Sequence, residues 1–175
     1  MYSVKEIYYT IQGEGFHTGR SAVFLRFAGC NLWSGLEKDR SDAICNFCDT
    51  DFVGTNGPGG GKFDSAEELA KEAFSLWPQG SSSNPYVVCT GGEPLLQIDK
   101  KFIEEFHKLG FIIGVETNGT IIPPSGIDWI CVSPKIGSNL ILRKGNELKL
   151  VYPQLEGAPE QFENLDFEHF SLQPM

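Results

Sequence analysis

The chain is short of positive charge and of histidine. Its 14 Lys and Arg residues face 23 Asp and Glu, for a net charge of -9, and the basic residues are scattered. Nucleic acids and anionic membranes both require clustered positive charge, so neither is expected as a partner. The three histidines form no HExxH pair and no triad with a serine, which leaves hydrolase chemistry without support. No apolar run approaches the roughly 20 residues that a membrane span needs. Tyr2-Ser3-Val4-Lys5-Glu6 already alternates as a strand does and does not read as a targeting segment. The five cysteines are an odd number in a chain without secretory features. A reduced, cytoplasmic compartment is therefore expected, with thiols that serve a metal rather than disulfides.

What is present suits one α/β domain over residues 1–175, with 41% hydrophobic residues and 20 glycines for tight turns. Strands are predicted over Val4–Thr10, Ala22–Phe27, Tyr86–Thr90, Phe111–Glu116, Trp129–Ser133, Glu147–Tyr152 and Phe170–Gln173. One helix should start at a cap on Asp64 or Ser65 and end near Trp77. A second should run from Asp99 to Leu109, with Gly110 as its stop. The glycine-rich stretch Gly54–Gly61 reads as a flexible surface loop. Alternating strands and helices imply a largely parallel sheet. A complete eight-fold barrel needs about 250 residues, so the expected architecture is an incomplete (β/α) barrel of about six mostly parallel strands with reduced helices. In such sheets, sites gather at the carboxyl ends of the strands.

Polar motifs fall at those ends. Cys30, Cys45 and Cys48 occupy one loop with the spacing Cys-x14-Cys-x2-Cys. Three thiolates can hold three irons of a [4Fe–4S] cluster and leave the fourth iron open. A zinc site is the other reading, and it needs a fourth ligand for which His17, Asp49 and Asp51 are the near candidates. Cys89 and Cys131 lie inside apolar strands, where core packing is expected. Gly13-x-Gly15 leads into a strand rather than a helix, so it is no dinucleotide fingerprint, and Gly61-Lys62 lacks the rest of a phosphate-binding loop. Gly91-Gly92-Glu93-Pro94 lets the backbone approach a ligand at a strand end and stiffens the exit. Glu116-Thr117-Asn118 and Ser133-Pro134-Lys135 close two further strands. Each is a capped strand end on its own. Together they suit a ligand with a ribose and an amino-acid moiety.

These motifs resemble the radical S-adenosylmethionine (SAM) superfamily, through Phe47 before Cys48 and through Gly91-Gly92-Glu93-Pro94. Most members space the first two cysteines by three residues. The longer gap here, with Gln12-Gly13-Glu14-Gly15 before it and Cys48-Asp49-Thr50 closing it, resembles the 7-carboxy-7-deazaguanine synthase family. That resemblance implies a carbon–nitrogen lyase of queuosine and 7-deazapurine biosynthesis that turns 6-carboxy-5,6,7,8-tetrahydropterin into 7-carboxy-7-deazaguanine with loss of ammonia. It implies that Cys30, Cys45 and Cys48 hold a [4Fe–4S] cluster and that Thr50 helps bind Mg²⁺. It places Phe47, Asp49, Gly92, Glu116, Asn118, Ser133, Pro134, Lys135, Gln173, Pro174 and Met175 around SAM. It places Ile11, Gln12, Gly13, Glu14, Arg26 and Thr90 around the pterin, and a guanidinium at position 26 suits a substrate carboxylate. It further implies a homodimer, an external electron donor such as a flavodoxin, and a closing segment beyond the Gln173-Pro174 motif that residues 1–175 do not include. Two other functions fit parts of the pattern: a non-catalytic metal-binding module, and a radical SAM activase acting on a protein.

Overall fold

In the computed structural model, which describes Met1–Met175, all eight strands join one open sheet. In chain order they are β1 (Tyr2–Ile11), β2 (Ser21–Phe27), β3 (Gly61–Phe63), β4 (Tyr86–Gly91), β5 (Ile112–Thr117), β6 (Trp129–Val132), β7 (Lys144–Tyr152) and β8 (Asp166–Pro174). Helices α1 (Ala66–Ser75) and α2 (Lys100–Lys108) precede β4 and β5. The spatial order is β3-β1-β2-β4-β5-β6-β7-β8. The strands from β2 onward run parallel, and β1 and β3 are added antiparallel at one edge. The six parallel strands are the incomplete barrel expected from the sequence.

Both helices begin at local caps. Ser65 Oγ accepts from Glu68 N at 3.1 Å while Glu68 Oε2 accepts from Asp64 N at 3.0 Å, which satisfies two otherwise orphaned donors. Asp99 Oδ1 accepts from Phe102 N at 2.8 Å, and Gly110 ends the second helix with a φ of 79° that suits glycine. The inner faces of the helices, including Leu69, Ala73, Phe102 and Phe106, pack on the convex face of β1, β2, β4 and β5. They form a core cluster of 22 buried residues there, against five in the cluster on β6–β8. The helix-covered half is therefore the rigid scaffold. The other half has no helix because its connections are too short to hold one.

Three expectations are corrected. Residues 54–61 are docked rather than free: Gly57 N donates to Lys5 O at 2.9 Å, and Ile7 N donates to Pro58 O at 2.8 Å. They lead into β3, which composition did not suggest, and a side chain at Gly60 would collide with the Lys5 carbonyl. Glycine there serves close backbone approach to a strand edge. β7 and β8 also begin earlier than their apolar residues do. Gly145 packs over the Phe167 ring, and β8 is an edge strand whose alternate residues meet solvent. Finally, Cys89 joins the helix-side core, whereas Cys131 is buried on the concave side beside Glu116 and Glu147.

Candidate active site

A cavity of about 710 Å³ opens at the carboxyl ends of the parallel strands. Its rim is the cysteine loop. Cys30 follows β2 directly, and Cys45 and Cys48 return to the same wall. The long gap between them is ordered, with a 3-10 turn over Glu37–Asp42. Arg40 fastens the loop: its guanidinium lies 4.1 Å above the Trp33 ring and donates to Asn46 O at 2.8 Å and Cys48 O at 2.9 Å. The neighbouring Cys45 thiol holds the Cys48 thiol below the usual thiol range, against its burial, and Thr50 acts in the same direction.

Glycine at the end of β4 is required by space. A Cβ on Gly92 would collide with the Gly29 carbonyl and come within 2.9 Å of Cys30 Cβ. Glu93, fully buried, then clamps two strand ends together. Its carboxylate accepts from Leu95 N at 3.0 Å, Thr117 Oγ1 at 2.8 Å and Asn118 N at 2.8 Å. Asn118 Nδ2 in turn donates to Asn31 Oδ1 at 2.9 Å, which ties the end of β5 to the residue after Cys30. Burial pushes the Glu93 carboxyl up, because its donors are uncharged. Burial also pushes the Lys135 ammonium down, and its Nζ donates to Ser133 O at 2.7 Å and Oγ at 2.8 Å.

The floor carries charge. In register, Glu6 of β1 lies beside Arg26 of β2, and Arg26 beside Thr90 of β4. Arg26 Nε donates to Glu6 Oε1 at 2.8 Å, which fixes the guanidinium plane. Farther along the row, Lys149 Nζ donates to Glu14 Oε2 at 2.7 Å and Glu116 Oε1 at 3.0 Å. Glu116 also accepts from Gln12 Nε2 at 3.0 Å and Thr90 Oγ1 at 3.2 Å. Burial alone would raise the Glu116 carboxyl, but Lys149, Gln12 and Thr90 together hold it below the usual carboxylate range.

The structure brings nearly all of the expected site residues to this one cavity. Pro134 stays off its wall, with its carbonyl turned to Gln154 Nε2 at 3.2 Å. Glu116, expected beside SAM, hydrogen-bonds to Gln12 and Thr90, two residues expected beside the pterin. His17 is packed against Tyr86 and Trp129 below the floor, and Asp51 pairs with Lys5 at 2.8 Å. No three His, Cys, Asp or Glu side chains are grouped to hold a single metal ion, so the closed four-ligand zinc site is not formed. Sequence reasoning missed Lys149, the clamping role of Glu93, and the pair that orients Arg26, namely Glu6 and Tyr8, whose hydroxyl accepts from Arg26 Nη2 at 3.5 Å. The one available signal for Lys149 was its place between Leu148 and Leu150, as a charge facing inward from an apolar strand.

The donor set fits an iron–sulfur cluster. Three soft thiolates stand at a cavity mouth beside glycines that leave room. The indole N–H of Trp33, on the same wall, is buried without an acceptor, and sulfide is one that such a cluster would bring.

Residues 40–153 match the radical SAM superfamily, and fold, cysteine rim and match together place the chain in that class. The chain is 66% identical over 174 residues to the 7-carboxy-7-deazaguanine synthase of Bradyrhizobium diazoefficiens, covering 99% of this chain and 82% of that one. It is 58% identical to the enzyme of the same name from Bordetella pertussis over the same shares. The crystal structure of QueE from Escherichia coli superposes with a TM-score of 0.72 at 25% identity, covering 99% of this chain and 84% of that one. The chain belongs to the 7-carboxy-7-deazaguanine synthase family.

Proposed function

We propose that this radical SAM enzyme converts 6-carboxy-5,6,7,8-tetrahydropterin to 7-carboxy-7-deazaguanine, with ring contraction and loss of ammonia. The observation that carries the reading is that a three-thiolate rim and a charged, pterin-sized floor share one cavity. Cys30, Cys45 and Cys48 would hold the [4Fe–4S] cluster. With SAM, the reduced cluster would supply the radical chemistry that hydrogen abstraction from the substrate requires.

The chain itself binds, orients and excludes water. Phe47, Asp49, Gly92, Asn118, Ser133, Lys135 and the β8 end at Gln173, Pro174 and Met175 form the SAM side. Ile11, Gln12, Gly13, Glu14, Arg26 and Thr90 form the pterin side. Arg26, held by Glu6 through Nε and reaching the Tyr8 hydroxyl through Nη2, offers the rest of its fork to the substrate carboxylate. Thr50 offers a hard oxygen for Mg²⁺, whose remaining ligands would come from that carboxylate and water. In this reading residues 1–175 act as one radical SAM domain, in a homodimer served by an external electron donor such as a flavodoxin. The cytoplasm is the proposed setting, and no helix is long and apolar enough to cross a membrane.

Anaerobic reconstitution, reduction with dithionite and incubation with SAM and the carboxytetrahydropterin test the proposal. About four irons per chain, 5′-deoxyadenosine and a product of the deazaguanine mass are expected. Bound zinc with no SAM cleavage would overturn it.

A further inference from the structure

Lys149 joins parts of the cavity floor that lie far apart in sequence. Its side chain is 6% exposed, and its ammonium stands between Glu14 and Glu116. Glu116 holds the Gln12 amide, and the Gln12 amide oxygen accepts from Glu14 N at 3.1 Å. The turn Gln12–Glu14 therefore closes on one cation from both ends, through Glu116 and through its own Glu14. Thr90 enters the same network from β4 through its 3.2 Å bond to Glu116.

The charges along this row are separated. Arg26, with Glu6 bound at its Nε, presents the remaining face of its guanidinium at one side. At the other, two carboxylates share one ammonium, which leaves a net negative charge. Arg26 and Glu116 lie on strands two places apart, β2 and β5, with β4 between them. At the usual spacing that is about 10 Å, the length of a bicyclic heterocycle that bears a carboxylate.

We propose that Lys149 is the positioning residue of the pterin end, holding Glu14, Glu116 and Gln12 so that they face the N–H-bearing edge of the heterocycle while its carboxylate is directed to Arg26. This deepens the function proposed above and rests on it. An N–H-rich aminopyrimidinone edge suits the net negative end, and a carboxylate there is repelled, so the floor admits the substrate in one orientation. The other titratable groups facing the ammonium are Cys131 from β6 and Lys135 beyond it. Neither contacts it in place of the two carboxylates.

The test compares Lys149→Met and Lys149→Arg with the parent chain, all reconstituted, in steady-state kinetics for the pterin and for SAM. Lys149→Met is expected to raise the pterin KM about thirtyfold or more, as removal of one partner from a buried charge pair does. Its KM for SAM should move far less, and Lys149→Arg should recover most of the loss. In Lys149→Met the pterin KM should also become more sensitive to falling pH than in the parent, because Glu116 without its cation is protonated more easily. A pterin KM within threefold of the parent, or equal rises for pterin and SAM, overturns the proposal. Should Lys149→Met fail to fold, Lys149→Met/Glu116→Gln removes both charges together. It should load about four irons and keep the raised pterin KM, and a parent-like KM in it overturns the proposal. A parent that does not consume the pterin overturns the function and this role with it. An active parent beside an unchanged variant overturns the role alone.

Discussion

Glu93, fully buried, and Glu116, half-buried, are carboxylates on neighbouring strand ends, and they are held in opposite ways. Glu93 sits under the cysteine rim and accepts only from uncharged donors, two backbone N–H groups and the Thr117 hydroxyl. Glu116 sits in the floor and faces the Lys149 ammonium at 3.0 Å. Burial raises the first carboxyl, while the second is lowered in spite of burial. A carboxylate whose task is to clamp strand ends needs acceptors and can give up its charge. One that helps define a binding surface keeps its charge, and it needs a cation to do so. The same division separates rim from floor. The rim is built from uncharged hydrogen bonds and soft ligands that serve the chemistry. The floor is built from long-range charge pairs that serve recognition.

The largest effect should come from breaking the rim. Cys48→Ala is expected to lose the four-iron absorbance and to bring SAM cleavage below detection, since a cluster with two protein ligands is not retained. The floor network and the 22-residue core are untouched by this change. The thermal midpoint should therefore stay within a few degrees of the cluster-free parent by circular dichroism. A collapse of the fold would mean that the rim is structural and would erase the contrast with the floor.

The next effect tests the clamp. Glu93→Ala leaves three buried donors without an acceptor, at an expected cost of about 3 kcal/mol, or roughly 6–12 °C in the midpoint for a chain of this size. Glu93→Gln keeps the shape and one acceptor oxygen, and should recover part of that loss. If Glu93 needs its charge as Glu116 does, Gln will be no better than Ala in thermal melts, and the two carboxylates are alike after all.

The rim was far easier to read from the sequence than the floor. Cys30, Cys45, Cys48 and Gly91-Gly92-Glu93-Pro94 are spacing patterns within short windows, and the caps at Ser65 and Asp99 are visible within four residues. The six parallel strands followed from alternation of strand and helix signals. The floor depends on pairs such as Lys149 with Glu14, 135 positions apart, and Gln12 with Glu116, 104 apart. No local pattern carries a pairing across that distance. It follows from sheet order and register, which place β7 within reach of the turn after β1. The docked segment at 54–61 was hidden for a related reason. Glycines that permit close approach to β1 have the same composition as glycines in a free loop, and only the partner carbonyl of Lys5 tells them apart.

The smallest effect, and the one that separates the two carboxylates most directly, is on stability against pH. Glu116 has a folded pKa below its unfolded value, so its contribution is present above the unfolded carboxylate value of about 4.3 and is lost as pH falls through the folded pKa. Glu93 has a raised folded pKa, so its contribution is full below about 4.3 and is lost as pH rises through the folded value. The midpoint difference between parent and Lys149→Met/Glu116→Gln should therefore hold level from pH 7 down to about 4.3 and shrink only below that. The difference between parent and Glu93→Gln should move the other way and widen in favour of the parent. Lys149, raised by its two carboxylates, adds an alkaline limb: its contribution holds below about 10.4 and fades only as pH climbs above that. Thermal melts of the three proteins from about pH 3 to about pH 11.5 measure all of this. Parallel trends in the two differences would show that the lysine does not distinguish the floor carboxylate from the clamp.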